Sequence, residues 1–186
     1  MKFKFYDYKS QVGRYLKFFK NIDKNKKILD FGTGPGWSLF VGIYLGYDIV
    51  GLDVEDKLWY GGTDMGVLRK HLKTDEYTVL YESDKIPFED KSFDIVICKA
   101  VLDKDYLKDQ NTEIELNRIL KDDGIVYYAP SGHNIFLEHI KPKNKKVFFP
   151  NESLAELTVD IDNYKELFQI AKICAENYRD KNEINS

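Results

Sequence analysis

The chain has 186 residues, 43% of them hydrophobic and 32% charged, with a formal net charge of −3. That length suits one domain burying roughly 70% of its unfolded surface, and the composition is that of an ordinary globular protein rather than a fibrous or disordered one. The slight negative charge excludes a global basic field of the kind that holds nucleic acid.

Residues 1–27 read as a leader helix, with Val12, Tyr15, Leu16 and Phe19 at helical spacing. No signal peptide opens the chain, since Met1 to Lys9 alternates lysines with aromatics, so the expected location is cytoplasmic. Lys27 to Phe31 is the first predicted strand, and it runs into the stretch on which the chain turns: Ile28-Leu29-Asp30-Phe31-Gly32-Thr33-Gly34-Pro35-Gly36-Trp37. Trp37 to Leu45 is an apolar helix ended by Gly46. A strand, a glycine turn and a helix in that order let the backbone approach a ligand closely while the helix aims its N–H groups at it. This is the usual nucleotide-cofactor unit of an open parallel α/β sheet. The dinucleotide pattern G-x-G-x-x-G fails here because Trp37 takes the place of its third glycine, which disfavours a nicotinamide oxidoreductase. No Gly-Lys-Ser/Thr follows, so a P-loop fails as well.

Asp48 to Asp53 is the second predicted strand, and it ends in an acid 21 residues after Gly32. An acid at about that distance is where a nucleoside ribose meets a carboxylate; as a single acid at a strand end, Asp53 also reads as a helix N-cap. Val54 follows it. Gly61-Gly62 marks a loop, Met65 to Leu72 a helix, and Tyr77 to Tyr81 a short third strand. Phe93 to Cys98 is apolar enough to lie centrally in a parallel sheet. Thr112 to Leu120 reads as a helix with Ile114, Leu116, Ile119 and Leu120 as its apolar positions. Asp122-Asp123-Gly124 then turns the chain into a fifth strand, Ile125 to Ala129. Strands alternating with helices imply βαβ units. Beyond Pro130 the pattern blurs: Ile135 to Ile140 has helical features, and Val147 to Phe149 and Leu157 to Ile161 have those of short strands. Tyr164 to Tyr178 is amphipathic, with Leu167, Phe168, Ile170, Ala171, Cys174 and Tyr178 on one face. Cys98 and Cys174 are far apart, without metal spacing, and read as reduced buried thiols. The basic run Lys141 to Lys146 reads as a solvated loop, and the most apolar stretch, Trp37 to Leu52, is too short and interrupted to span a bilayer.

With an Asp two residues before its first glycine, the 28–37 stretch resembles motif I of the class I S-adenosylmethionine-dependent methyltransferases. Two further stretches resemble the same family. Glu82 to Asp94 (Glu-Ser-Asp-Lys-Ile-Pro-Phe-Glu-Asp-Lys-Ser-Phe-Asp) is similar to its segment between strands three and four. Glu115 to Gly124 is similar to its E-x-x-R-x-L-K-P-G-G segment, with Asp122-Asp123 in place of Pro-Gly. The resemblance covers about residues 28–130. It implies an α/β fold of minimal size: an open, mostly parallel, doubly wound Rossmann-like sheet of strand order 3-2-1-4-5-7-6, its last two strands shortened or uncertain. The domain plan is then a leader helix (1–27), a cofactor-binding core (28–130) and a variable C-terminal part (131–186) within one domain.

The resemblance also implies S-adenosyl-L-methionine as cofactor, held by Asp30, Gly32, Thr33, Gly34 and Gly36 in the turn, and by Asp53 and Val54 after strand two. Glu82 takes the position facing the adenine amino group, with Asp84 as the alternative, and Ser83 the one whose backbone faces the ring. Lys99 lies near the methionine end, with its backbone as the expected contact. Asp94 caps or positions the fourth strand. In the leader, which holds Tyr6, Tyr8, Lys9, Arg14 and Tyr15, an arginine or a tyrosine is placed to meet the cofactor carboxylate, Arg14 as a bidentate pair, and aromatics to face the sulfonium; or else the segment is a helix packed by its aromatics with solvated bases. The family's Val-Leu-x-His run reads Val101-Leu102-Asp103-Lys104 here, and its Asp/Asn-Pro-Pro-Tyr-type motif is absent. His133, in Pro130-Ser131-Gly132-His133-Asn134 past strand five, is the first candidate base and Asp103 the second; each also reads as an ordinary solvated loop residue. The expected function is methyl transfer to oxygen or nitrogen of a small molecule. The alternative is a non-catalytic or partner-dependent subunit that binds the same cofactor. Neither a metal, a nucleic acid nor a membrane is expected.

Overall fold

A computed structural model describes residues 8–54, 58–59, 63–82, 84–99, 110–129, 146–148 and 162–183. Five helices and eight strands alternate along them: α1 (Tyr8–Lys20), β1 (Lys27–Phe31), α2 (Trp37–Tyr44), β2 (Asp48–Asp53), β3 (Leu58–Trp59), β4 (Thr63–Asp64), α3 (Met65–Leu72), β5 (Thr78–Leu80), β6 (Phe93–Lys99), α4 (Gln110–Ile119), β7 (Leu120–Ala129), β8 (Lys146–Phe148) and α5 (Lys165–Glu183). The main sheet runs β5-β2-β1-β6-β7-β8, and every neighbouring pair is parallel. β3 and β4 form a separate two-residue antiparallel pair.

The order of the first five sheet strands along the chain is the 3-2-1-4-5 that the resemblance implies. The last positions differ. β8 pairs directly with β7 and runs parallel to it, so the sixth sheet strand of the chain takes the place expected for a seventh. The expected strand at 157–161 and helix at 135–140 lie outside the described residues.

Each central strand is buried on both faces because its alternate side chains enter different cores. Ile28 of β1, Ile49 of β2 and Ile95 and Ile97 of β6 join Val12, Tyr15, Leu16 and Phe19 of α1, Leu39 and Phe40 of α2, Leu68 of α3 and Leu167 of α5. Leu29 and Phe31 of β1, Val96 and Cys98 of β6 and Val126 of β7 face the other way, against Leu116 and Ile119 of α4. Fully burying one such side chain contributes about 1.5–3 kcal/mol. Helices on both faces of one parallel sheet make the fold doubly wound. Tyr47 fastens α1 to this arrangement: its hydroxyl donates to the Phe19 carbonyl at 2.6 Å, with the Ile22 carbonyl 2.9 Å away.

Two positions read as apolar contacts point outward. Ile114 of α4 is 59% exposed and Ile170 of α5 is 38% exposed; in each helix the neighbouring turns already fill the interface. The expected turn at Asp122–Gly124 is absorbed into β7 instead. Phe93 pairs with Leu120 but Ile95 with Ile125, so the extra residues form an irregularity inside the strand. Asp94 sits beside it. Its carboxylate accepts the Lys27 N–H at 3.0 Å and the ammonium groups of Lys121 at 2.9 Å and Lys26 at 3.3 Å. It thus ties the starts of β1, β6 and β7 together. Burial pushes this carboxyl up, but those donors outweigh burial and leave it below the usual range.

α4 also holds the loop that precedes β6. Glu115 accepts the Ile86 N–H at 2.8 Å, and the Arg118 guanidinium donates to the Ile86 carbonyl (2.8 Å), the Phe88 carbonyl (2.7 Å), Asp90 (2.8 Å) and both oxygens of Glu115 (2.6 and 2.8 Å). Hydrogen bonds to charged groups contribute about 1.5–3 kcal/mol, so Arg118→Met is expected to lower unfolding stability by roughly that amount. Urea denaturation checks this: the midpoint should fall with an unchanged slope. A loss under about 0.5 kcal/mol would show that water serves the Ile86 and Phe88 carbonyls as well as Arg118 does.

Candidate functional site

The glycine turn joins the carboxyl end of β1, the central strand, to the N-terminus of α2. β2 lies on one side of β1 and β6 on the other, so the chain reverses its direction of winding there. In open α/β sheets that is where ligands bind. Gly32, Gly34 and Gly36 have φ of 72°, 53° and 83°, which residues with a Cβ rarely adopt. The turn hangs on β2, since Gly32 and Thr33 both donate their N–H to the Leu52 carbonyl, at 2.7 and 3.1 Å.

The glycines serve different ends. A Cβ on Gly34 would meet nothing within 4 Å, so this face of the turn opens into space. A Cβ on Gly36 would stand 2.3 Å from Thr74 Oγ1 and 3.4 Å from Arg69 Cγ. Gly36 is therefore required by the packing of α3 and the residues after it against the turn.

Acids flank the turn at two levels. Asp30 is 3% exposed, and its Oδ2 accepts the hydroxyls of Thr33 (2.8 Å) and Ser38. Burial pushes this carboxyl up, while the two hydroxyls and the Lys99 charge pull it back. Asp30 and Thr33 thus brace the turn from below. Asp53, at the end of β2, accepts the Gly34 N–H through Oδ2 at 2.8 Å and the Val54 N–H through Oδ1 at 2.9 Å. Arg69 Nη1 lies 3.4 Å from Asp53 Oδ2. Val54 is 43% exposed. Glu82, just past β5, is exposed too, and Tyr81 before it donates its N–H to the Asp53 carbonyl at 3.0 Å.

Cations gather on the opposite side. Lys99, the last residue of β6, turns its side chain under α1, where its Nζ lies 5.2 Å from the Tyr15 ring centroid and 3.4 Å from Gln11 Oε1. Arg14 Nη1 approaches the same amide oxygen at 3.3 Å, and among the described residues the buried Arg14 Nε has no hydrogen-bond partner. Among the described residues, no carboxylate lies within ion-pair distance of either cation. Burial pushes the Lys99 ammonium down, the Arg14 charge pushes it further and Asp30 opposes both, leaving it at about 8.

The structure therefore brings together Asp30, Gly32, Thr33, Gly34, Gly36, Asp53, Val54 and Lys99, with Glu82 at the β5 margin. Ser83, Asp103 and His133 lie outside the described residues. Gln11, Arg69 and Thr74 were not singled out from the sequence as binding residues. Arg69 carries a readable signal nonetheless, because it occupies the buried stripe of α3 beside Met65, Leu68 and Leu72. Among the described residues no three metal-ligating side chains converge, and no helix is long and apolar enough to cross a membrane.

A family model described as a methyltransferase domain matches residues 22–172. No curated protein matches the chain. Among solved structures, the PH0226 protein of Pyrococcus horikoshii is 27% identical, over 63% of this chain and 55% of that one, with a TM-score of 0.49. A protein of Methanococcus maripaludis provisionally described as an S-adenosyl-L-methionine-dependent methyltransferase is 16% identical over 69% and 58%, also at 0.49. An acetophenone reductase of Geotrichum candidum, solved with NAD, is 16% identical over 75% and 38%, at 0.47. The chain thus spans about half the length of the solved structures it matches. The family model reaches from the residues before β1 into α5, well over half of the sequence, and the chain belongs to the methyltransferase-domain family, of the class I type that its glycine turn resembles.

Proposed function

We propose that the chain binds S-adenosyl-L-methionine across the glycine turn and transfers its methyl group to oxygen or nitrogen of a small molecule. The observation that carries this reading is the polarity of the site: a carboxylate, Asp53, on the β2 side of the turn and two cations, Arg14 and Lys99, on the β6 side. A ribose diol donates hydrogen bonds and needs an acceptor acid. An amino-acid carboxylate needs cations, and the unpartnered Arg14 Nε suits one. The open face of Gly34 leaves room for the nucleoside to approach. Glu82 and the Ser83 backbone then serve the adenine end, and Lys99 acts through its side chain as well as its backbone.

When bound, S-adenosyl-L-methionine supplies a methyl group already activated on a sulfonium. The chain's share is alignment, together with a base where the acceptor must lose a proton. His133 is the proposed base and Asp103 the second candidate.

Thermal unfolding with S-adenosylmethionine, S-adenosylhomocysteine and NAD tests the cofactor. At about 100 times its dissociation constant, a ligand specific for the native state adds about 2.7 kcal/mol, which is roughly 5–11 °C for a chain of this size. A shift with NAD and none with the adenosyl ligands would overturn the reading. Acceptor screening for release of S-adenosylhomocysteine tests transfer. His133→Gln should lower turnover by about 10² to 10⁴, with little change in cofactor affinity. An active parent whose variant keeps full turnover removes His133 from the mechanism, whereas binding without turnover on any acceptor favours the non-catalytic reading.

The two glycines make a sharper pair. Gly34→Ala places a Cβ in open space at a left-handed φ, which costs about 1–2 kcal/mol of stability. It should still fold but bind S-adenosylhomocysteine weakly. Gly36→Ala adds a collision with Thr74 and should lose stability by a further 1–3 kcal/mol or so whether or not ligand is present. Full affinity in Gly34→Ala would show that the ligand does not approach that face.

Lys99 gives the site a pH dependence. A bound carboxylate raises its pKa, so its contribution to affinity is complete well below pH 8 and fades as pH rises through and above 8. Lys99→Met should bind S-adenosylhomocysteine about ten-fold more weakly at pH 7, in line with a lost charge-assisted hydrogen bond. The ratio of parent to variant affinity should shrink above pH 8; because the ligand's own amine titrates in both proteins, that ratio isolates Lys99. A ratio constant from pH 6.5 to 9.5 would place the Lys99 side chain away from the carboxylate.

A further inference from the structure

Arg69 of α3 is among the largest fully buried side chains of the protein, at 1% exposure. Removing a guanidinium from water is costly unless it is paired. Among the described residues it meets the two groups that the cofactor reading depends on. Nη1 donates to the Gly34 carbonyl at 2.7 Å and stands at ion-pair distance, 3.4 Å, from Asp53 Oδ2. Asp53 Oδ2 accepts the N–H of the same Gly34 at 2.8 Å. The N–H and carbonyl of one glycine, an acid and a guanidinium therefore close a ring. Its outer side is backed by Thr74, whose N–H donates to the Arg69 carbonyl at 2.9 Å and whose side chain abuts Gly36.

We propose that Arg69 is a positioning residue for nucleoside binding: it clamps the Gly34 peptide and the Asp53 carboxylate into one unit, so that the acid meets the ribose hydroxyls in a fixed orientation. The proposal rests on the reading of this site as an S-adenosylmethionine site. Among the described residues the acid meets the Gly34 N–H, the Val54 N–H and Arg69. The first of these comes from a residue whose carbonyl Arg69 also holds. Without the guanidinium, the half-buried carboxylate regains rotamer freedom that ligand binding must remove again. The Gly34 carbonyl also loses its donor and the turn loses its anchor to α3. Arg69 lies behind the turn and acts through Asp53, without touching the ligand.

Calorimetric titration of the whole chain tests this with S-adenosylhomocysteine, adenosine and 2′,3′-dideoxyadenosine. Arg69→Met, which keeps the unbranched stem and loses the charge, should weaken S-adenosylhomocysteine about ten-fold or more, the scale of a lost charge-assisted contact. It should also erase most of the parent's preference for adenosine over the dideoxy compound. In an Asp53→Ala background the same substitution should cost little, because neighbours in one network are not additive. Arg69→Lys should recover part of the ribose preference, and it carries the comparison alone if Arg69→Met does not fold. Equal losses for adenosine and dideoxyadenosine, or penalties that multiply in the double variant, would reduce Arg69 to a packing residue and overturn the proposal. So would an Arg69→Met protein that binds with parental affinity and preference. A parent that binds neither S-adenosylhomocysteine nor adenosine overturns the cofactor reading and this proposal together; a parent that binds both while Arg69 variants match it overturns this proposal alone.

Discussion

A buried carboxylate holds the turn on which the fold and the site both depend. Asp30 closes β1 inside the protein, where a charge survives only if hydrogen-bonded. Thr33 and Ser38 supply those bonds, one from the turn and one from the first helical turn of α2. The same contacts that satisfy Asp30 therefore fix the path from strand to helix. β2 adds the Leu52 carbonyl from one side, and Asp53 with Arg69 adds a second clasp. Three left-handed glycine conformations are thus set from several directions before any ligand arrives. Ordering that is completed on folding is not charged again to binding.

The cationic side works the other way. Arg14 and Lys99 share one amide oxygen and repel each other, and α1 packs tightly enough through Val12, Tyr15, Leu16 and Phe19 to keep them together. Among the described residues the two like charges share a neutral acceptor, and Asp30 offsets the repulsion at Lys99 only in part, so the fold gives up stability there. On the proposed reading an anion recovers it, which makes this end of the site a source of ligand affinity and the Asp53 end a source of orientation.

Much of this was legible in the residues. The apolar run of β6 and the alternation of strands with helices announced a parallel sheet, and β2 and α3 fall on the boundaries read from the sequence. The glycine spacing located the turn, though it did not say that Gly36 answers to Thr74 while Gly34 faces open space. That distinction depends on the packing of α3, some 35 positions along the chain. The Glu115–Arg118 pair read as a helix end; its grip on the Ile86 and Phe88 carbonyls spans about 30 positions and leaves no periodic trace. Arg69 did leave one, as a charge on an apolar stripe. The displaced sixth strand and the outward Ile114 and Ile170 were not legible, because strand pairing and helix rotation are settled by neighbours rather than by local pattern.

Cofactor residues are easier to propose from a sequence than acceptor residues, for a reason that lies in the chemistry. A nucleoside with an amino-acid tail presents fixed groups, so it asks for particular residue types at set strand ends: glycines, an acid, cations. In-line displacement at an activated methyl asks mainly for alignment, which many side chains can provide. The polarity of the site nevertheless gives the reaction a direction. With the ribose acid on β2 and the cations at the end of β6, the proposed cofactor lies across β1 with its nucleoside toward β5 and its methionine toward β6. Its sulfonium, the methionine's own sulfur, is the junction of the two. On the proposed reading the acceptor would enter from the β6 and β7 side, and the segments that follow those two strands in the sequence are the ones that carry Asp103 and His133.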